Sequence, residues 1–192
     1  MKTNIFISLD GVDGVGKTTT ALMLVEKGFQ YHKSPSGIFS ELRKEVDFGA
    51  KALERYCFYM LAVQHDHQVI TELLKNGPVV ADRYVASTAA YHFVLDERIR
   101  LIHNDAWVLK PHFSFHLNCE TAIRDKRIKD RNVGVSDVKL ENNSGFLDRV
   151  NEVFLSFGLI HVDTGVMTAK ETSDWINDYV SRGGKNEAII TQ

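Results

Sequence analysis

A three-layer α/β domain, with a parallel sheet of five strands between two layers of helices, is predicted by three observations. Short apolar runs alternate with segments of helical length along the chain. The stretches joining successive runs are long enough to bring each strand back parallel to the one before. The clearest runs, Ile5-Phe6-Ile7-Ser8-Leu9 and Val79-Val80-Ala81, are almost continuously apolar, as strands buried on both faces require.

In order, an apolar strand at 5–9 leads through a glycine-rich loop into a helix over 19–27. Phe29-Gln30-Tyr31-His32 reads as a second strand and Lys33-Ser34-Pro35-Ser36-Gly37 as a loop. A polar helix is expected over 39–46. The longest helical pattern spans 50–75, where Leu53, Tyr56, Cys57, Met60, Leu61 and Val63 recur at helical spacing. Gly77-Pro78 punctuates it, and Val79-Val80-Ala81 is the third strand. Helices are expected over 86–94 and 97–109, a fourth strand over 112–117, and a basic helix over 120–131. The polar, aperiodic stretch at 132–144 has the profile of a lid. A helix over 145–157, a fifth strand over 159–162 and a last helix over 168–180 complete the pattern, with a tail that has little to pack.

With 192 residues, 44% of them apolar, the chain can bury one sizeable core, so a single domain over 1–192 is expected. A net charge of -2 gives no general attraction for nucleic acid or acidic membranes. Cys57 and Cys119 have neither disulfide-framework nor metal-site spacing. With no secretory leader and no membrane-length apolar run, a cytoplasmic location is expected.

The stretch Gly11-Val12-Asp13-Gly14-Val15-Gly16-Lys17-Thr18, between a strand and a helix, is the pattern of a phosphate-binding loop. Its glycines let successive N–H groups turn toward phosphate oxygens, and the helix start adds its positive dipole end. Lys17 is expected on the outer phosphates and the Thr18 hydroxyl on Mg²⁺, with Thr19 completing the ATP-binding set. This specifies a P-loop NTPase fold. Asp82-Arg83-Tyr84 follows the third strand, at the sheet end where ligands bind in open α/β folds. Asp82 is placed to hold Mg²⁺ through water and Arg83 to clamp a second anion; a purely structural ion pair is the competing reading.

With Ala89-Ala90-Tyr91, Lys110-Pro111 and Phe146-Leu147-Asp148-Arg149-Val150 added in order, the chain resembles the thymidylate kinase family of nucleoside monophosphate kinases. The resemblance implies ATP- and Mg²⁺-dependent phosphoryl transfer to a nucleoside monophosphate, with dTMP the leading acceptor, and a homodimer. It implies that Asp13 accepts a hydrogen bond from the acceptor's 3′-hydroxyl, although a solvated loop aspartate is the alternative. Phe58 would stack on the base and Tyr91 lie against the sugar, with Thr88 and Arg43 near base and phosphate. The loop has no arginine at Gly14 or Val15, so the catalytic cation is expected from the lid entrance. Arg131 and Lys129 are the nearest candidates, with Arg127 and Arg149 behind them.

Departures from the family pattern fall on the acceptor side. Ala62 stands where the family commonly has a base-reading arginine, and Lys33-Ser34-Pro35 replaces Arg-Glu-Pro. A site that loses a donor to a polar base edge loses discrimination. Gln64, His65 or Lys33 compensates, or the acceptor is not dTMP. A kinase for a nucleoside or another alcohol, with Asp82 as general base, and a nucleotide-binding module without turnover are the two rival readings.

Overall fold

The computed structural model describes residues 4–130 and 144–184. Its strands are β1 (Phe6–Asp10), β2 (Gln30–Lys33), β3 (Val79–Asp82), β4 (Phe113–Asn118) and β5 (Ile160–Asp163). All pair in parallel in the order β2-β3-β1-β4-β5, the five-stranded sheet expected from the sequence. The helices among the described residues are α1 (Lys17–Glu26), α2 (Gly37–Gly49), α3 (Ala52–Leu73), α4 (Val85–Leu95), α5 (Ile99–Ile102), α6 (Thr121–Asp130), α7 (Ser144–Leu155) and α8 (Ala169–Ser181). None of them is long and apolar enough to cross a membrane.

Strand alternation sorts these helices into two layers. Consecutive side chains of a strand point to opposite faces. On β4, Phe115 meets Trp175 and Tyr179 of α8, whereas the next residue, His116, stacks on Phe154 of α7 at 4.7 Å. Helix α1 packs on α8, so these two share one face; α3 packs on α4 and α4 on α7, which fill the other. Central β1 is buried along its whole length, which explains its nearly continuous apolar run, with Ser8 and Asp10 the buried polar exceptions. Its register sets Leu9 beside Asp82 and Asp10 beside His116, so the C-terminal strand ends gather along one edge.

Local signals place most boundaries within a few residues of expectation. Thr168 caps α8 with a reciprocal pair: it accepts from the Glu171 N–H at 3.2 Å, and its own N–H donates to the Glu171 carboxylate at 2.8 Å. The helix expected over 97–109 is a correction. Only the turn at α5 forms; His103 is extended, and the Asn104 side chain accepts the Ala106 N–H at 3.0 Å. That local bond gives the backbone an alternative to the helix ladder. The lid stretch lies outside the described residues from 132 to 143, as does the tail from 185.

Two histidines are buried as neutral rings in the α3/α4/α7 layer. Burial holds His92 and His116 down at about 4, while the Thr88 carbonyl bonds the His92 ring at 2.7 Å. His116 shares a 3.0 Å hydrogen bond with His161 on the neighbouring strand. Because these folded-state values lie below the unfolded value of about 6.5, the unfolded chain binds more protons as pH falls. Stability is therefore lost as pH drops from about 6.5 toward 4, by on the order of 1–3 kcal/mol for each ring. Urea midpoints followed from pH 7 to 5 are expected to fall, and to fall less in a His92→Gln, His116→Gln variant.

Candidate active site

The loop between β1 and α1 is shaped by glycines at positive φ, two of which leave no room for a side chain. Gly11 has φ 140°, and a Cβ there would lie 2.3 Å from the Leu117 carbonyl oxygen. At Gly14, φ 88°, it would lie 2.7 Å from Cγ of Arg124 on α6. The loop is thus pressed between β4 and α6. Lys17 opens α1 and curls back over the loop, donating to the Val12 carbonyl at 2.7 Å, with its Nζ 3.6 Å from the Asp13 carboxylate.

Thr18, one residue on, reaches across to β3 and donates its hydroxyl to Asp82 at 2.5 Å. Tyr31 of β2 donates to the same carboxylate oxygen at 3.2 Å. A hydroxyl and a carboxylate meeting at the mouth of a phosphate loop are hard oxygen donors, the set that suits Mg²⁺, which keeps several waters and takes few protein ligands. The pair that the sequence assigned to the metal is therefore brought together. Burial, and the Asp82 carboxylate beside it, push the Tyr31 phenol up, so it stays a donor.

Arg83 stands at the junction of β3 and α4 with φ 70°. A side chain held there costs on the order of 1–3 kcal/mol. The conformation is held from both sides. The Arg83 N–H donates to the Leu9 carbonyl at 2.9 Å. Buried Asp10 accepts from the Tyr84 N–H at 3.1 Å, the Ser87 N–H at 3.0 Å and the Ser87 hydroxyl at 2.6 Å, so the end of β1 fastens the start of α4. The guanidinium then turns back over the loop: it donates to the Gly11 carbonyl at 3.0 Å, ion-pairs with Asp13, and lies 5.4 Å from the centre of the Tyr91 ring. Asp13, Arg83 and Tyr91 are thus one cluster.

The other acceptor-side residues divide. Phe58 of α3 packs against Phe39 of α2 at 5.4 Å, and Phe39 also meets His65 at 5.7 Å. Ala62, only 1% exposed, falls between Phe58 and His65 on the same helical stripe. Thr88 is buried in α4, and its carbonyl bonds His92. Arg43 turns along its own helix to Asp47, at 3.4 Å, where Arg55 and Tyr59 also converge. Of the lid-entrance cations, Arg127 donates to the Thr164 carbonyl at 2.6 Å and Lys129 is exposed. Arg149 is exposed on α7, and Arg131 lies outside the described residues.

Three functional positions escaped sequence reasoning. Asp10 and Tyr31 act on partners many residues away, and buried Arg124 on α6 shows its contact with the loop only in three dimensions. A charged residue closing an apolar strand was the available signal for Asp10.

A family model described as thymidylate kinase matches residues 9–158. The chain belongs to the thymidylate kinase family. A probable thymidylate kinase of Methanocaldococcus jannaschii is 29% identical over 195 residues, covering 94% of this chain and 97% of the relative. One of Staphylothermus marinus is 31% identical over 174 residues, covering 84% and 83%. The solved thymidylate kinase of Candida albicans superimposes with a TM-score of 0.77 at 21% identity, covering 96% of each chain, a likeness of fold.

Two substitutions test this thymidylate kinase geometry. Gly11→Ala forces the Leu117 carbonyl aside and is expected to lose about 2–4 kcal/mol in urea unfolding, with ATP binding weakened in parallel. Ala62→Arg, which the sequence alone would favour for dTMP, places a long charged side chain at a buried position and is expected to lower the unfolding midpoint.

Proposed function

We propose that the chain is a dTMP kinase that transfers the ATP γ-phosphoryl group to the 5′-phosphate of dTMP, as a single domain over 1–192. The observation that carries the reading is the joining of two halves on one loop. Lys17 and the Thr18–Asp82 pair occupy its inner side, and Arg83, held to Gly11 and Asp13, faces it from the acceptor side. Two anion-handling groups set against one cradle suit transfer between two phosphates.

The acceptor phosphate is already ionised near neutral pH, so no general base is needed and catalysis rests on position and charge. The loop N–H groups with Gly11, Val12, Asp13, Gly14, Val15, Gly16 and Thr19 would bind the triphosphate. Lys17 would follow the β and γ oxygens into the transition state. Mg²⁺, held by Thr18 and through water by Asp82, would neutralise charge on those same oxygens. Arg83 would exchange Asp13 for the acceptor phosphate, freeing the Asp13 carboxylate for the 3′-hydroxyl. Tyr91 would close the sugar edge, and Phe58 would stack on the base, with Thr88 and Arg43 at its periphery.

The stretch at 132–144 is proposed as the lid, with Arg131 supplying its catalytic cation and water kept from the transferring group. A cytoplasmic homodimer is the proposed state. Ala62 bears on the acceptor: the Candida albicans relative is described as having broad substrate specificity. Relaxed base choice is accordingly proposed for this chain, with dTMP preferred.

A coupled ADP-release assay across dTMP, dUMP, UMP, CMP, GMP, AMP and the free nucleosides is expected to show turnover on dTMP and none on thymidine. Turnover on nucleosides alone would reassign the enzyme to an alcohol acceptor. Lys17→Ala should lower kcat by about 10²–10³-fold while circular dichroism and unfolding midpoint stay near those of the parent.

A further inference from the structure

The acceptor side contains a buried carboxylate to which the mechanism above gives no part. Asp66 lies in the middle of α3 with 0% exposure, on a helix whose other buried positions include Ala62, Val63 and Ile70. A charge there is costly unless its lone pairs are fully engaged. They are engaged by the short loop after β2, with His32 of β2 alongside. The Ser34 hydroxyl donates to Oδ2 at 2.5 Å; the Ser36 hydroxyl and N–H donate to Oδ1 at 2.5 and 3.2 Å; and His32 Nε2 lies 3.0 Å from Oδ1.

That loop joins β2 to α2 at the ligand-binding edge of the sheet, where the Ser34 N–H donates to the Asp82 carbonyl at 3.1 Å. Ser36 is the residue before the first turn of α2, and its hydroxyl serves Asp66 instead of capping that helix. The helix start is therefore positioned by α3. Gly37 follows with φ 54°, and a Cβ there would fall 2.9 Å from the His65 ring. Two residues further, Phe39 lies on Phe58, the proposed base platform. The field of Asp66 also reaches Tyr84, the residue after Arg83; burial first and this carboxylate second push its phenol up.

We propose that Asp66 is the positioning residue of the acceptor site, tying the Ser34–Ser36 loop to α3 and so holding the start of α2, with Phe39, against the base platform at Phe58. The inference rests on the dTMP kinase reading. It makes the anchor act on the acceptor side, because its bonds run to Ser34 and Ser36 in the loop that leads into α2.

Steady-state kinetics on the full chain, varying dTMP at saturating ATP and then the reverse, test it alongside thermal unfolding. Asp66→Asn is expected to raise KM for dTMP by about tenfold, with KM for ATP within about twofold of the parent. A Ser34→Ala, Ser36→Ala variant, which leaves the helix untouched, should move KM for dTMP the same way. Ser34→Thr, Ser36→Thr keeps both hydroxyls and should restore it.

Both KM values rising together, or unchanged dTMP kinetics in the two-serine alanine variant, would overturn the proposal. If Asp66→Asn fails to fold, the serine variants decide by the same criteria. A parent chain with no turnover on any monophosphate would instead overturn the functional reading and this inference with it.

Discussion

The carboxylate of Asp10 is the joint on which both halves of the site turn. It ends the most buried strand of the sheet, immediately before the phosphate loop begins, and it accepts the first free N–H groups of α4 on the other side of Arg83. Helix starts leave such donors without partners of their own. Here a side chain from a different element meets them, so the helix is fixed to the strand rather than capped within its own sequence. Arg83 is trapped between the two attachments in a backbone conformation it would not adopt alone. The distance between the phosphate loop and Arg83 is thereby set by the sheet.

What could be read from sequence and what could not follows the range of the interactions. The phosphate loop, the Thr18–Asp82 pair and the parallel sheet rest on local patterns: glycines at fixed offsets, a strand before them, an acid at the end of another apolar run. The five parallel strands agree with expectation, and Thr18 and Asp82 do meet. Asp10 and Asp66 were opaque because their partners lie at Ser87 and Ser34, and one residue's burial says nothing of such partners until the chain is folded. The over-long helix at 97–109 failed for the opposite reason. Its apolar spacing was helical, but one asparagine side chain offered the backbone a competing bond that periodicity does not count.

The two sides of the cleft are built by different means. On the donor side the backbone itself supplies the binding surface, and close contacts at Gly11 and Gly14 leave it little room to vary. The acceptor side is made of side chains on α2, α3 and α4, whose relative placement depends on what lies between them. Phe39 packed on Phe58 and a buried carboxylate under the Ser34–Ser36 loop are one solution to that placement. Rewiring is expected on this side because a side-chain network can exchange its donors and acceptors while the fold persists.

The ion pair between Arg83 and Asp13 shows how such a site can be ordered and still free to act. Its side chains are 20% and 41% exposed, so water screens the pair and its net worth is about 0–1 kcal/mol. A phosphate offers the same guanidinium a two-pronged, doubly charged partner in place of one screened carboxylate oxygen. In the proposed mechanism Arg83 would exchange Asp13 for phosphate without moving the backbone, because the bonds that fix it in place, its own N–H to the Leu9 carbonyl and the Tyr84 N–H to the Asp10 carboxylate, are not the ones exchanged. Position is held by the buried bonds and affinity is left to the exposed one.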